Sequence, residues 1–91
     1  MFSLSEITFG NVSLNEALDE FQNDGFGYAV IAPCGFDENS KLQYSGEPFS
    51  RRDKAFERAM KISSKEGCWA YVLDTFDHHV IAYLTAYCAN P

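Results

Sequence analysis

Two stretches of the chain carry the same set of instructions, and the order they impose leaves few folds open. "VSLNEALDEFQNDG" (residues 12–25) and "SRRDKAFERAMKISSKEG" (50–67) are amphipathic at helical spacing, and each closes on a glycine that can cap a helix C-terminus. Strand formers follow each at once, "GYAVIAP" (27–33) and "CWAYVLD" (68–74). Both runs lead through a turn, "CGFDENSK" or "TFDH", into a second strand, "KLQYS" (41–45) or "HVIAYLTAYC" (79–88). The decapeptides "DGFGYAVIAP" and "EGCWAYVLDT" align, so a twofold αββ pseudo-repeat is one reading and chance similarity of short amphipathic units is the other. The expectation is one α+β domain, residues 1–91, with two helices packed on one face of a four-stranded, mainly antiparallel sheet. Its element order is αββαββ, and "EITF" (6–9) is a candidate N-terminal edge strand.

Each helix has a readable polarity. In the first, Ser13 is placed as N-cap with Glu16 three residues on, a capping box, and Val12 stands where it can staple onto Ala17. Leu14, Ala17, Leu18 and Phe21 form an apolar stripe, while Glu16, Asp19, Glu20 and Asn23 gather on the solvent side. In the second, Ser50 and Asp53 repeat the capping logic. Arg51, Lys54, Arg58, Lys61 and Lys65 fall within about one quadrant at ~100° per residue, opposite Phe56, Ala59 and Met60, and Glu57 to Lys61 has ion-pair spacing. In the last hairpin Cys68, Ala70 and Val72 share a smooth face with Val80, Ala82 and Leu84, suited to closely packed helices. Trp69, Tyr71 and Leu73 share the other with His79, Ile81, Tyr83, Thr85 and Tyr87. Two helices cover one side of such a sheet and little more, which leaves part of the aromatic face exposed.

Ninety-one residues support a single modest core. Apolar residues at 46% and aromatics at 15% place the chain on the folded side of the disorder boundary despite a formal charge of −6. No apolar run approaches the roughly 20 residues that cross a bilayer, and "MFSLSEITFG" lacks a basic segment before an apolar core, so a soluble, unsecreted protein is expected. Cys34, Cys68 and Cys88 are widely spaced with no CxxC, which fits reduced thiols in the cytoplasm. Charge is unevenly spread. Residues 1–40 hold seven acids and no Lys or Arg, whereas all seven basic residues lie in 41–66 beside four acids.

Asp77, His78 and His79 are the residues most like a chemical site. Neighbouring residues on a strand point to opposite faces, and zinc needs three or four converging ligands where the chain has two histidines, so a polar hairpin end is the favoured reading. A metal-dependent enzyme using these three residues is the alternative. Cys34 is a weaker nucleophile candidate, and neither GxxxxGK[ST] nor GxGxxG occurs. No catalytic, metal or cofactor site is therefore expected. Binding is the favoured class: Glu16, Asp19, Glu20, Asp24, Asp37 and Glu38 would meet a basic partner surface, with Trp69, Tyr71 and Tyr83 as anchors. Direct nucleic-acid binding through Arg51, Arg52, Lys54, Arg58, Lys61 and Lys65 is a second possibility, opposed by the net charge. A homodimer, acidic helix to basic helix or sheet to sheet through Trp69, Tyr71, Tyr83 and Tyr87, is compatible with the first.

In length, acidity and compact αβ layout the chain resembles, as a type, the small phage-encoded inhibitors of bacterial defence, the anti-CRISPR proteins among them. The features that carry the likeness are the Lys- and Arg-free stretch 1–40 and the hairpin "EGCWAYVLDTFDHHVIAYL" behind a helix. The resemblance implies an inhibitor in the host cytoplasm whose acidic residues occupy a nucleic-acid-binding surface of a bacterial protein or ribonucleoprotein complex. The bases of 41–66 depart from a pure nucleic-acid mimic.

Overall fold

Ser13 starts the first helix as its sequence requires. Its hydroxyl accepts from the Glu16 amide at 3.3 Å, and the Glu16 carboxylate returns the contact to the Ser13 amide at 3.4 Å. The computed structural model describes residues 8, 9 and 12–84. Over these the elements run β1 (Thr8–Phe9), β2 (Val12–Ser13), α1 (Leu14–Asn23), β3 (Tyr28–Phe36), β4 (Leu42–Phe49), α2 (Arg52–Lys61), β5 (Ala70–Asp74) and β6 (Val80–Leu84). A π-helical turn, Ile62–Glu66, extends α2, and Gly67 closes it in the left-handed conformation at φ 67°. The fold is α+β, with an antiparallel four-stranded sheet in the order β4-β3-β5-β6.

The helices do not share a face. Leu14 and Leu18 of α1 pack on Ala29, Ile31 and Leu73, whereas Ala55 and Ala59 of α2, with Ile62, pack on Val30, Ala32, Ala70 and Val72. Alternate strand residues point to opposite sides, so the sheet is sandwiched, and the expectation of both helices on one face is corrected. The reason is visible in β3: Ala29, Val30, Ile31 and Ala32 are all buried, a run apolar on both faces that needs cover on both.

Other departures have equally local causes. β3 continues through Pro33, and β4 through Gly46 and Pro48, where breaks were expected. β4 is an edge strand, and β5 pairs with β3 only over Tyr28–Ile31, so each proline sits where the strand has a partner on one side only. The N-terminal edge strand is not part of the main sheet: Thr8–Phe9 pairs with Val12–Ser13, and the rest of "EITF" lies outside the described residues, as do Thr85, Tyr87 and Cys88. Gly46 allows Phe9 to lie on β4, since a Cβ there would come within 3.3 Å of the Phe9 ring and of Ile31. Arg51, not Ser50, is the N-cap of α2, and Asp53 instead takes the Arg51 guanidinium at 2.9 and 3.1 Å. Met60, expected on the apolar side, is 59% exposed. In β6 an irregularity pairs Val72 with Ala82 but Leu73 with Val80. Ile81 is thereby the extra residue and packs toward α2, breaking the expected alternation.

Ala55 and Ala59 are fully buried, and their small size sets how closely α2 approaches the sheet. Ala59→Leu is expected to destabilise the fold by about 1–3 kcal/mol through overpacking. The check is the urea midpoint, which should fall while the slope of the transition is unchanged.

Candidate functional site

A row of aromatic rings crosses the face that carries α1. Tyr44 lies 5.8 Å from Trp69, Trp69 meets Tyr71 edge-on at 5.3 Å, and Tyr71 stacks on Tyr83 at 4.7 Å with 26° between planes. The register explains the order. Tyr44 sits opposite Pro33 on β4, and Tyr71 sits opposite both Ile31 on β3 and Tyr83 on β6, so the row runs from one edge strand to the other. Tyr44, Trp69 and Tyr71 are half-buried against the core beneath α1, and Tyr83 is 50% exposed. Burial raises the Tyr71 phenol above its ordinary 10.0, and Tyr83 and Tyr44 add to the shift. Sequence reading missed Tyr44 because "KLQYS" is a weak strand signal whose facing depends on pairing with β3.

The six candidate carboxylates form no single patch. Glu16, Asp19, Glu20 and Asp24 line the exposed side and C-terminal end of α1. Asp37 and Glu38 lie at the tip of the β3–β4 hairpin, beyond the far end of a nine-residue strand that spans roughly 30 Å. There Asp37 folds its own turn, accepting from the amides of Asn39 and Lys41 at 2.8 and 2.9 Å and from Gln43 Nε2 at 3.1 Å. Glu16 is engaged in its capping box. Asp19 reaches across to the β5–β6 turn, where its Oδ1 lies 2.9 Å from His78 Nε2. Among the described residues, Glu16, Glu20 and Asp24 meet no Lys or Arg side chain.

The β5–β6 turn is anchored from below. Thr75, fully buried, donates its hydroxyl to the Phe26 carbonyl at 2.8 Å and its amide to that of Gly27 at 3.1 Å. Asp74 accepts from the amides of Phe76 and Asp77. His78 takes a positive φ of 59°, uncommon for a residue with a side chain, and its ring faces Asp19 while His79 and Asp77 are exposed. The turn thus places two further acids, Asp74 and Asp77, at the α1 C-terminal end of the sheet. Among the described residues no three His, Cys, Asp or Glu side chains converge as metal ligands would.

Six of the seven basic residues go with α2 and its π-helical extension, and Lys41 lies in the β3–β4 turn beside Asp37. Arg51 pairs with Asp53 at 2.9 Å, Arg58 with Glu47 at 2.8 Å, and Lys54 with Glu57 at 3.8 Å, which takes the place of the expected Glu57–Lys61 pair. Arg52 lies over the Phe56 ring at 5.5 Å. No helix of the described residues is long and apolar enough to cross a membrane. Comparison with protein families, with curated proteins and with solved structures finds no significant match.

The raised Tyr71 phenol has a signed consequence. The unfolded chain ionises near 10.0 while the folded chain resists, so the stability from this group is complete below that pH and is lost as pH rises toward the folded value. Tyr71→Phe is expected to flatten the loss of stability above pH 10.0, measured by denaturant midpoints across an alkaline series.

Proposed function

We propose that this protein is a non-enzymatic binding module that docks the α1 side of its sheet onto a basic, nucleic-acid-binding surface of a bacterial protein or ribonucleoprotein, and acts there as an inhibitor. One observation carries the reading: the acidic helix and the aromatic row lie on the same side of the sheet, and the basic helix lies on the other. Binding energy concentrates in large aromatic anchors, and complementary charge selects the partner and speeds encounter. Carboxylates that occupy phosphate positions also release the counterions that nucleic acid would displace.

Local energetics point the same way. The last turn of α1 and its C-cap carry Glu20 and Asp24 and no base, although the helix dipole disfavours anions at a C-terminus by about 0.3–1 kcal/mol each. A helix that keeps negative charge where its own backbone opposes it is serving something outside itself. The bases of α2 are partly matched by neighbouring acids and are separated from the aromatic row by the sheet, which weakens the case for direct nucleic-acid binding.

Asp24→Lys separates folding from binding. Stability is expected to hold or rise by about 0.3–1 kcal/mol, read by urea denaturation. Immobilised wild-type protein should retain from bacterial lysate a nucleic-acid-binding protein that salt and added nucleic acid release. Asp24→Lys combined with Glu20→Lys should lose it, and Arg52→Glu combined with Lys61→Glu should keep it. The opposite pattern, loss with the α2 variant and retention with the α1 variant, overturns the reading.

A further inference from the structure

We propose that a hollow between the β1–β2 hairpin, α1 and β4 is a receptor for a single arginine side chain. It is lined by Phe9, Val12, Ala17, Glu20, Phe21 and Gly46 and has a volume of about 230 Å³. That exceeds the ~150 Å³ in which an apolar cavity admits benzene, and falls below the ~300–1,000 Å³ of sites that take drug-sized ligands. The guest is the size of one long side chain.

The lining specifies its chemistry. Five of the six residues are apolar or lack a side chain, and two are phenylalanines, so the stem of the guest is apolar and its tip can lie against a ring. Gly46 lets the Phe9 ring seat directly on β4 and form a wall of the hollow, because a Cβ there would come within 3.3 Å of that ring. The one ionisable group is Glu20, exposed on the flank of α1 and meeting no Lys or Arg among the described residues. An apolar guest would give that carboxylate no partner, and a neutral polar one would give it a weaker hydrogen bond than a charged donor does. An anion would be repelled by it and by the remaining charge of α1.

A cation with a long apolar stem satisfies both walls and rim. Arginine does so better than lysine, since its planar guanidinium stacks on an aromatic face and forks onto a carboxylate while being weakly hydrated. The ring-stacking half of this arrangement occurs elsewhere in the molecule, where the Arg52 guanidinium lies over the Phe56 ring at 5.5 Å. The hollow opens beside α1, so it deepens the proposed docking to a basic protein and rests on that reading for the source of the arginine.

The test uses the free protein and a small probe. Titration of 15N-labelled protein with Nα-acetyl-arginine amide is expected to shift the amide signals of Ala17, Phe21 and Gly46 saturably in the millimolar range. Nα-acetyl-citrulline amide, the neutral isostere, is expected to bind at least about tenfold more weakly, a factor worth roughly 1.4 kcal/mol. Glu20→Gln should lose a similar factor while its spectrum otherwise reports the native fold. Lys61→Glu, on the other side of the sheet, should change affinity by less than about threefold, roughly 0.65 kcal/mol. Absence of saturable shifts, equal binding of the two probes, or unchanged binding by Glu20→Gln overturns the proposal. Each of those results leaves the Asp24→Lys and Glu20→Lys capture experiment standing, so failure of the receptor and failure of the docking face are distinguishable.

Discussion

The pairing of β3 with β5 at the centre of the sheet is the contact from which the rest follows. Val30 stands opposite Val72, and both faces of this pair are apolar: Val30, Ala32, Ala70 and Val72 on one, Ala29, Ile31 and Leu73 on the other. A central pair buried on both sides needs a covering layer on both, and α1 and α2 supply them. The acidic helix therefore goes to one face and the basic helix to the other. The separation of charge is a result of how the core is satisfied.

The same pair lies at the centre of the two similar decapeptides. Aligning "DGFGYAVIAP" with "EGCWAYVLDT" puts Val30 on Val72, the two residues that face each other across the strands. A twofold axis normal to the sheet at that contact would exchange the two inner strands, which pair antiparallel there. It does not relate the helices, because a rotation about the sheet normal keeps a helix on its own face and these lie on opposite faces. Ala55 and Ala59 fit α2 to the small side chains of one surface, whereas Leu14 and Leu18 fill the other.

Much of the architecture was legible because its causes are local. The Ser13–Glu16 box, the Gly67 cap, the hairpins and the αββαββ order all rest on residues within a few positions of one another. What escaped depends on pairing. The proline at 48 is tolerated because β4 is an edge, Tyr44 joins the aromatic row because β4 sits in a particular register, and Ile81 is displaced by an irregularity. The acids show the same division: their placement on an exposed face of α1 was readable from helical periodicity. That Asp37 folds its own turn and Asp19 reaches His78 are facts of tertiary geometry.

Formal net charge is a poor guide to what such a molecule presents. Helices on opposite faces of a sheet are two packing layers apart, roughly 20 Å at about 10 Å per layer, and physiological salt screens exposed charges over a Debye length of about 8 Å. On the proposed docking, a partner at the α1 face would feel carboxylates scarcely offset by the bases beyond the sheet, several of which are already paired with acids of their own. The sheet acts as a spacer between two surfaces of opposite sign. A protein that mixed its charges uniformly at the same total would attract a basic surface weakly and without preferred orientation. On the proposed docking the field would turn the aromatic row toward the partner before contact, so that electrostatic steering and apolar anchoring would act on the same approach.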